Sequence, residues 1–311
     1  MTEKPTRTIP VMVLRYVWET GWSGGRALRP WPDRVFAEIF QQPNGWSLRD
    51  YWLRCTFGHL DLKFDIGPWS VLSGAAHQDL RSDRRAILAA CRAQAVMDGV
   101  PLGRYGHVVA FVHEPPCDTG GSCPDVVLDQ NPATLEFYQR AMGAMLGFSA
   151  GSGPYCVMGA DQIADYPIAR PAAFAGLPLL PGTDLFRTAR RVSAATLYRH
   201  LPAYRATVPL STVDEEVTVV ALGESSDGKS TVAVCPVAGG EVTVEYRTAN
   251  GDDLGVVPAV VVHSLGVRPC AGACFEAALP PIVGAEAVVA GVRVQVLAVP
   301  GPDRITICFT R

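Results

Sequence analysis

The sequence predicts an α/β domain followed by an all-β module of sandwich type, with the boundary near residue 208. Three observations carry that prediction. Up to about residue 205, short β-branched runs alternate with amphipathic segments of helical period. From about Leu210 the texture changes to short β-rich runs separated by Gly, Asp and Pro turns. At 311 residues with 48% hydrophobic content, the chain is long enough for two cores.

In order, Val11 to Trp18 reads as a first strand, β-branched and flanked by Pro10 and Gly21. Val35, Phe36, Ile39 and Phe40 recur at helical spacing behind Asp33, so residues 32–40 should form a helix. Ser47 should cap a second helix over Leu48 to Cys55. Leu60, Leu62, Phe64 and Ile66 alternate as one face of a half-buried strand. Asp79 to Asp98 is the longest helical segment, with Leu80, Ile87, Leu88, Cys91 and Ala95 on one side. His107 to His113 is a buried strand, Pro115 to Pro124 a polar Gly-rich loop and Val126 to Leu128 a short strand. Asn131, with Pro132 behind it, should cap a helix that runs to Gly147. A further helix is expected over Ala194 to His200. The later β-runs are 217–222, 231–236, 241–247, 256–263, 287–299 and 304–310.

Charge excludes some partners. A net charge of −3 supplies no basic field for nucleic acid and no polybasic segment for anionic lipid. Neither a signal peptide nor a membrane span is visible, which points to the cytoplasm unless the chain is a trimmed, secreted form. The nine cysteines, with close pairs Cys117/Cys123 and Cys270/Cys274, are then expected to be reduced thiols, with local disulfides as the alternative in an oxidising environment. Neither close pair has the usual spacing of a structural zinc site.

The stretch from Gln139 to Gly159 organises the functional reading. Zincin-type peptidases carry H-E-x-x-H-x-x-G-x-x-H on a helix, then a turn bearing a methionine. Laid on that pattern, Gly147 and Met158 are kept. The ligand positions hold Arg140, Ala144 and Ala150, and the general-base position holds Ala141. Several further stretches resemble the M6, immune inhibitor A-like, metallopeptidases. They are Val11 to Val17, the Ser47-Leu-Arg-Asp-Tyr-Trp helix with the Gly-His-Leu-Asp-Leu strand behind it, Arg104-Tyr105 before the 107–112 strand, and Tyr155-Cys-Val-Met-Gly. Ala194-Ala-Thr-Leu-Tyr-Arg and the strands around 244–263 and 292–299 resemble the family more loosely.

The resemblance implies a zincin-like fold without its chemistry. Alanine has no donor atom, and a protonated arginine would repel a dication. No metal, no cofactor and no zinc peptidase activity is therefore expected. The expected function is a catalytically inactive relative whose retained cleft binds a peptide or protein partner. A metal-independent enzyme acting on a peptide or small molecule in the remodelled cleft is the alternative, and a vestigial cleft in a structural protein is the third reading.

Candidate cleft residues are Arg140, His113, Glu114, Tyr155 and Cys156. Arg140 offers a cationic fork suited to a carboxylate, unless it pairs structurally with Glu136 or Asp129. His113-Glu114 ends the strand whose neighbouring edge binds extended substrate in zincins. His107 and His113 lie ~20 Å apart along a strand and cannot share one ion. Cys156 has no base partner in sequence, and Asp118, Asp129 and Glu136 are unpaired acid–base candidates. All six tryptophans fall within the first seventy residues, as core or loop anchors.

Overall fold

A computed structural model of the chain describes residues 7–20, 30–76, 83–113, 120–122, 125–130, 134–149, 151, 153–159, 165–177, 186–223, 230–250, 253, 256–268 and 272–311. Glu114, Cys117, Asp118, Cys123, Asn131, Pro132, Ala150 and Cys270 lie outside the described residues. The architecture is mixed α/β, with one largely parallel sheet, two four-stranded antiparallel sheets and a two-stranded sheet of β6 (Asp165–Pro167) and β7 (Arg187–Ala189). Two compact units form: Met1–Gly147 with Pro167–Thr188, and Phe148–Tyr166 with Ala189–Arg311.

The first unit is built on a five-stranded sheet in the order β2-β1-β3-β5-β4. Its strands are β1 (Arg7–Thr20), β2 (Leu60–Ala76), β3 (His107–Val112), β4 (Gly120–Ser122) and β5 (Asp125–Asp129). β1 pairs in parallel with β2 and β3, and β3 in parallel with β5. Only the edge strand β4 runs antiparallel, against β5. The sequence predicts a loop over 115–124, because Gly-Gly-Ser has no β propensity. Pairing with β5 makes residues 120–122 of it a strand.

Parallel strands need crossovers, and helices supply them. α1 (Asp33–Phe40) and α2 (Leu48–Cys55) join β1 to β2, and α3 (Arg84–Met97) joins β2 to β3. α1 buries Val35, Phe36, Ile39 and Phe40, the four residues its period marks. The Ser47 side chain accepts from the Asp50 N–H at the start of α2. Asp83 caps α3, so the helix is shorter than the expected 79–98 span. Ile87, Cys91 and Ala95 of α3 pack on Met12, Leu14, Tyr16 and Ala110 of the sheet.

The opposite face carries an aromatic cluster. The Phe111 ring meets Phe36 at 4.8 Å and Trp31 at 5.8 Å, and Trp69 lies 5.5 Å from Phe36. Arg15 is buried among these rings, 4.5 Å from the Phe36 centroid, with its Nε donating to the Gly67 carbonyl. Asp125 is 6% exposed and accepts from the Val108 N–H at 2.7 Å and from Arg92. It ties the start of β5 to β3 and α3. The next helix after β5 is α4 (Leu135–Met145).

The second unit is centred on two four-stranded antiparallel sheets. One is ordered β12 (Cys274–Leu279), β11 (Ala259–Leu265), β10 (Gly240–Arg247), β9 (Val232–Val237). The other is ordered β13 (Glu286–Val289), β14 (Val292–Gly301), β15 (Arg304–Thr310), β8 (Glu216–Val220). Val242, Val244, Val260 and Val262 of the first meet Val294, Val296, Ile305 and Phe309 of the second in one core. The expected run 287–299 breaks into two strands because Ala290 and Gly291 both adopt positive φ, the geometry of a tight hairpin. β12 escaped the sequence reading.

The expected boundary at 208 is not where the compact units divide. Residues 148–166 and 189–208 belong with the sandwich. They include α5 (Ala194–His200), capped by Ser193, and α6 (Pro202–Arg205). Among the described residues Cys55, Cys91, Cys156, Cys235 and Cys308 are buried thiols outside any disulfide, whereas Cys274 is disulfide-bonded. No described helix is long and apolar enough to cross a membrane.

Candidate functional site

α4 is the element on which the zinc-peptidase comparison turns. Its inner side is fixed by buried Leu135, Tyr138, Gln139, Met142 and Met145. The Tyr138 hydroxyl donates to the Asp129 carbonyl, and the Gln139 amide donates to Thr188 Oγ1 at 2.7 Å and to the Trp46 carbonyl at 3.2 Å. Burial, helped by the nearby Asp129, pushes the Tyr138 phenol well above its usual pKa. A polar interior held this way fixes the rotation of the helix about its axis.

That rotation decides what faces outward. Arg140 and Ala144, one turn apart, are both partly exposed, and Phe137 on the same side is 43% exposed. Ala141, at the general-base position of the comparison, is buried. Arg140 makes no hydrogen bond or ion pair among the described residues, so the expected alternative of a bond to Glu136 or Asp129 is not realised. Glu136 is itself buried and receives the Thr134 hydroxyl at 3.4 Å.

α4 ends at Met145, with Leu146 as C-cap and Gly147 at φ +86°, where its N–H returns to the Ala144 carbonyl. This is a left-handed helix stop, which glycine adopts at least cost, and it accounts for Gly147 without a metal. A family resemblance to zinc peptidases implies a zinc ion. The residues present do not fit it: Arg140 and Ala144 occupy one helix face, and neither side chain can donate to a cation.

β4 packs beside α4 and is the last strand of its sheet. Its outer edge pairs with no strand among the described residues. His113 follows β3, is buried at 6% exposure, and its N–H donates to the Tyr16 carbonyl. Glu114 falls outside the described residues, so the expected His113-Glu114 pair is seen only in part.

The remaining sequence candidates belong to the second unit. A small loop closes where the Gly151 N–H donates to the Met158 carbonyl. Within it Tyr155 stacks on Phe275, and Gly153 sits at φ +91° against the same ring. Cys156 is 4% exposed, and its sulfur receives the N–H groups of Met158 at 3.4 Å and Ser193 at 3.3 Å. Met158 is also buried. These contacts are those of interior packing residues. α4 and Met158 fall in different compact units.

One cluster had no sequence signal. On the outer face of β10 and β11, Arg247 is fully buried, 2.6 Å from Asp253 and 3.3 Å from Glu245. Asp253 accepts from the Arg191 N–H at 3.2 Å, and Glu245 accepts from the Ala194 N–H. The cluster thus fastens the start of α5 to the sheet. Burial pushes Glu245 up to about 7 against the pull of Arg247. Burial and then Arg247 push the neighbouring His263 down to about 3. Glu245 and Arg247 alternate with apolar Val244 and Tyr246, a pattern that reads as a solvated strand face.

No protein-family model and no curated protein matches the chain.

Proposed function

We propose that the chain is a degenerate relative of zincin-type metallopeptidases, of the M6 kind, that binds an extended peptide segment instead of cleaving it. Three features support this reading. The sheet of the first unit is parallel except for one edge strand, and that strand lies beside the helix that aligns with the ligand-bearing one. The helix presents Arg140 and Ala144 where the comparison needs its first two ligands. The edge of β4 has main-chain groups to offer an added strand. The Met158 loop, which belongs to the second unit, lends no support.

The observation that carries the reading is Arg140, a cation with no acceptor of its own among the described residues, on the outward face of a helix beside a strand edge that pairs with no described strand. A guanidinium so placed suits a carboxylate, and a peptide in strand-adding register presents one at its C-terminus or on an acidic side chain. The test is fluorescence polarisation with labelled random-peptide pools that have free or amidated C-termini. Free-acid peptides should bind, amidation or Arg140→Ala should weaken them about tenfold or more, and the melting temperature of the variant should stay unchanged. Equal binding of both pools, untouched by the substitution, would remove the reading.

A further inference from the structure

A cavity of about 220 Å³ opens in the first unit, at the opposite edge of the sheet from β4. Its origin is local. The β1/β2 ladder shifts register between Val13 and Arg15, where Gly67 and Pro68 interrupt β2. The slack leaves a gap between the two strands and the end of α3, walled by Met12, Leu14, Trp69 and Val100.

One end of this apolar gap is polar and negative. Asp98, the residue that ends α3, accepts from Ser70 Oγ at 3.0 Å and from Gln94 Nε2 at 2.9 Å. The buried Tyr16 hydroxyl lies near enough to feel the Asp98 charge. Burial, then the Asp98 charge, keeps the Tyr16 phenol protonated, so it stays a donor. Both donors are neutral, and no cation pairs with Asp98 among the described residues. An ionised carboxylate has about four acceptor positions, and Asp98 is exposed at the mouth of the gap, so positions remain for an incoming donor. Asp98 also stands at a helix C-terminus, where the aligned peptide dipoles already favour positive charge. The last turn of α3 has no basic residue to answer either source.

We propose that this cavity is a binding site for a small primary amine with an apolar body, its ammonium group on Asp98 and its body against Trp69, Met12 and Leu14. The chemistry selects the class: a carboxylate held by neutral donors, a helix C-terminus and aromatic and aliphatic walls fit an alkyl- or arylalkylammonium. Arg15 also lines the gap, but its guanidinium is held by Asp33 and the Gly67 carbonyl, so the site does not fit an anion. The inference stands independently of the peptide-binding reading, because the cavity and β4 lie at opposite edges of the sheet.

The experiment titrates the full chain with 2-phenylethylamine by isothermal calorimetry, with neutral 2-phenylethanol as the matched comparator. Saturable binding at one site is expected, with the alcohol about tenfold weaker or worse. Asp98→Asn, which keeps the shape and removes the charge, should lower amine affinity by about the same factor. Val100→Phe should abolish it by filling the gap. Absence of saturable binding, equal affinity for amine and alcohol, or an undiminished Asp98→Asn variant would each overturn the proposal. The amine–alcohol comparison uses the unmodified protein, so it decides the question even where a variant fails to fold.

Discussion

Replacing Glu245 by glutamine should unmask the titration of His263. Both side chains lie in the buried cluster around Arg247, which Asp253 also faces. Glu245 is raised from 4.5 to about 7 by burial. Its contribution to stability is therefore fully present below pH 4.5 and is lost as pH rises through about 7. His263 is lowered from 6.5 to about 3, so its contribution is present above pH 6.5 and is lost as pH falls toward 3. Each group contributes a slope of about 1.4 kcal/mol per pH unit, with opposite signs. Between pH 4.5 and 6.5 they cancel, and the native chain should show little dependence on this pair. In Glu245→Gln the cancellation ends. Stability of the variant relative to the parent should rise with pH from 4.5 to about 7, by roughly 3 kcal/mol in all.

Urea unfolding followed by far-UV circular dichroism at half-unit pH steps measures this difference directly, because all other titrating groups drop out of it. All six tryptophans lie in the first unit, so their fluorescence provides an internal control that should not respond. A difference profile that is flat, or that falls with pH, would refute the assignment of the Glu245 shift to burial.

Two further outcomes follow from single contacts. Gly153→Ala places a Cβ 2.5 Å from the Phe275 side chain at a φ of +91°, so it should destabilise the second unit by about 2 kcal/mol or more, read as a lower urea midpoint at unchanged slope. Asp125→Ala leaves the buried Val108 N–H without its acceptor and frees Arg92, and should cost about 2–3 kcal/mol, seen as a shift of the tryptophan-reported transition.

The elements legible in the sequence are those written locally. Ser47 followed by an apolar period gave α2 to the residue, and Val35, Phe36, Ile39 and Phe40 gave α1, because caps and helical spacing act within a few residues. The outward face of α4 was legible too: Arg140 and Ala144 are one turn apart, so they had to share a side. What failed to show depends on distant partners. Gly120 to Ser122 is a strand only because β5 lies alongside. Residues 189–208 join the sandwich because Glu245 and Asp253, 51 and 62 residues on, take the N–H groups of Ala194 and Arg191. Glu245 and Arg247 look solvated in sequence and are buried where the segment around Arg191 to Ala194 meets their strand face. The cavity at Asp98 arises from a register shift, which leaves no mark beyond Gly67-Pro68.

Amide hydrogen exchange of the full chain, with and without a saturating free-acid peptide drawn from the binding pool, puts the central claim to the most direct test. An added strand at β4 predicts slower exchange confined to amides around Gly120 to Ser122, with α4 and the sandwich unchanged. Protection that spares those amides and gathers elsewhere would contradict it.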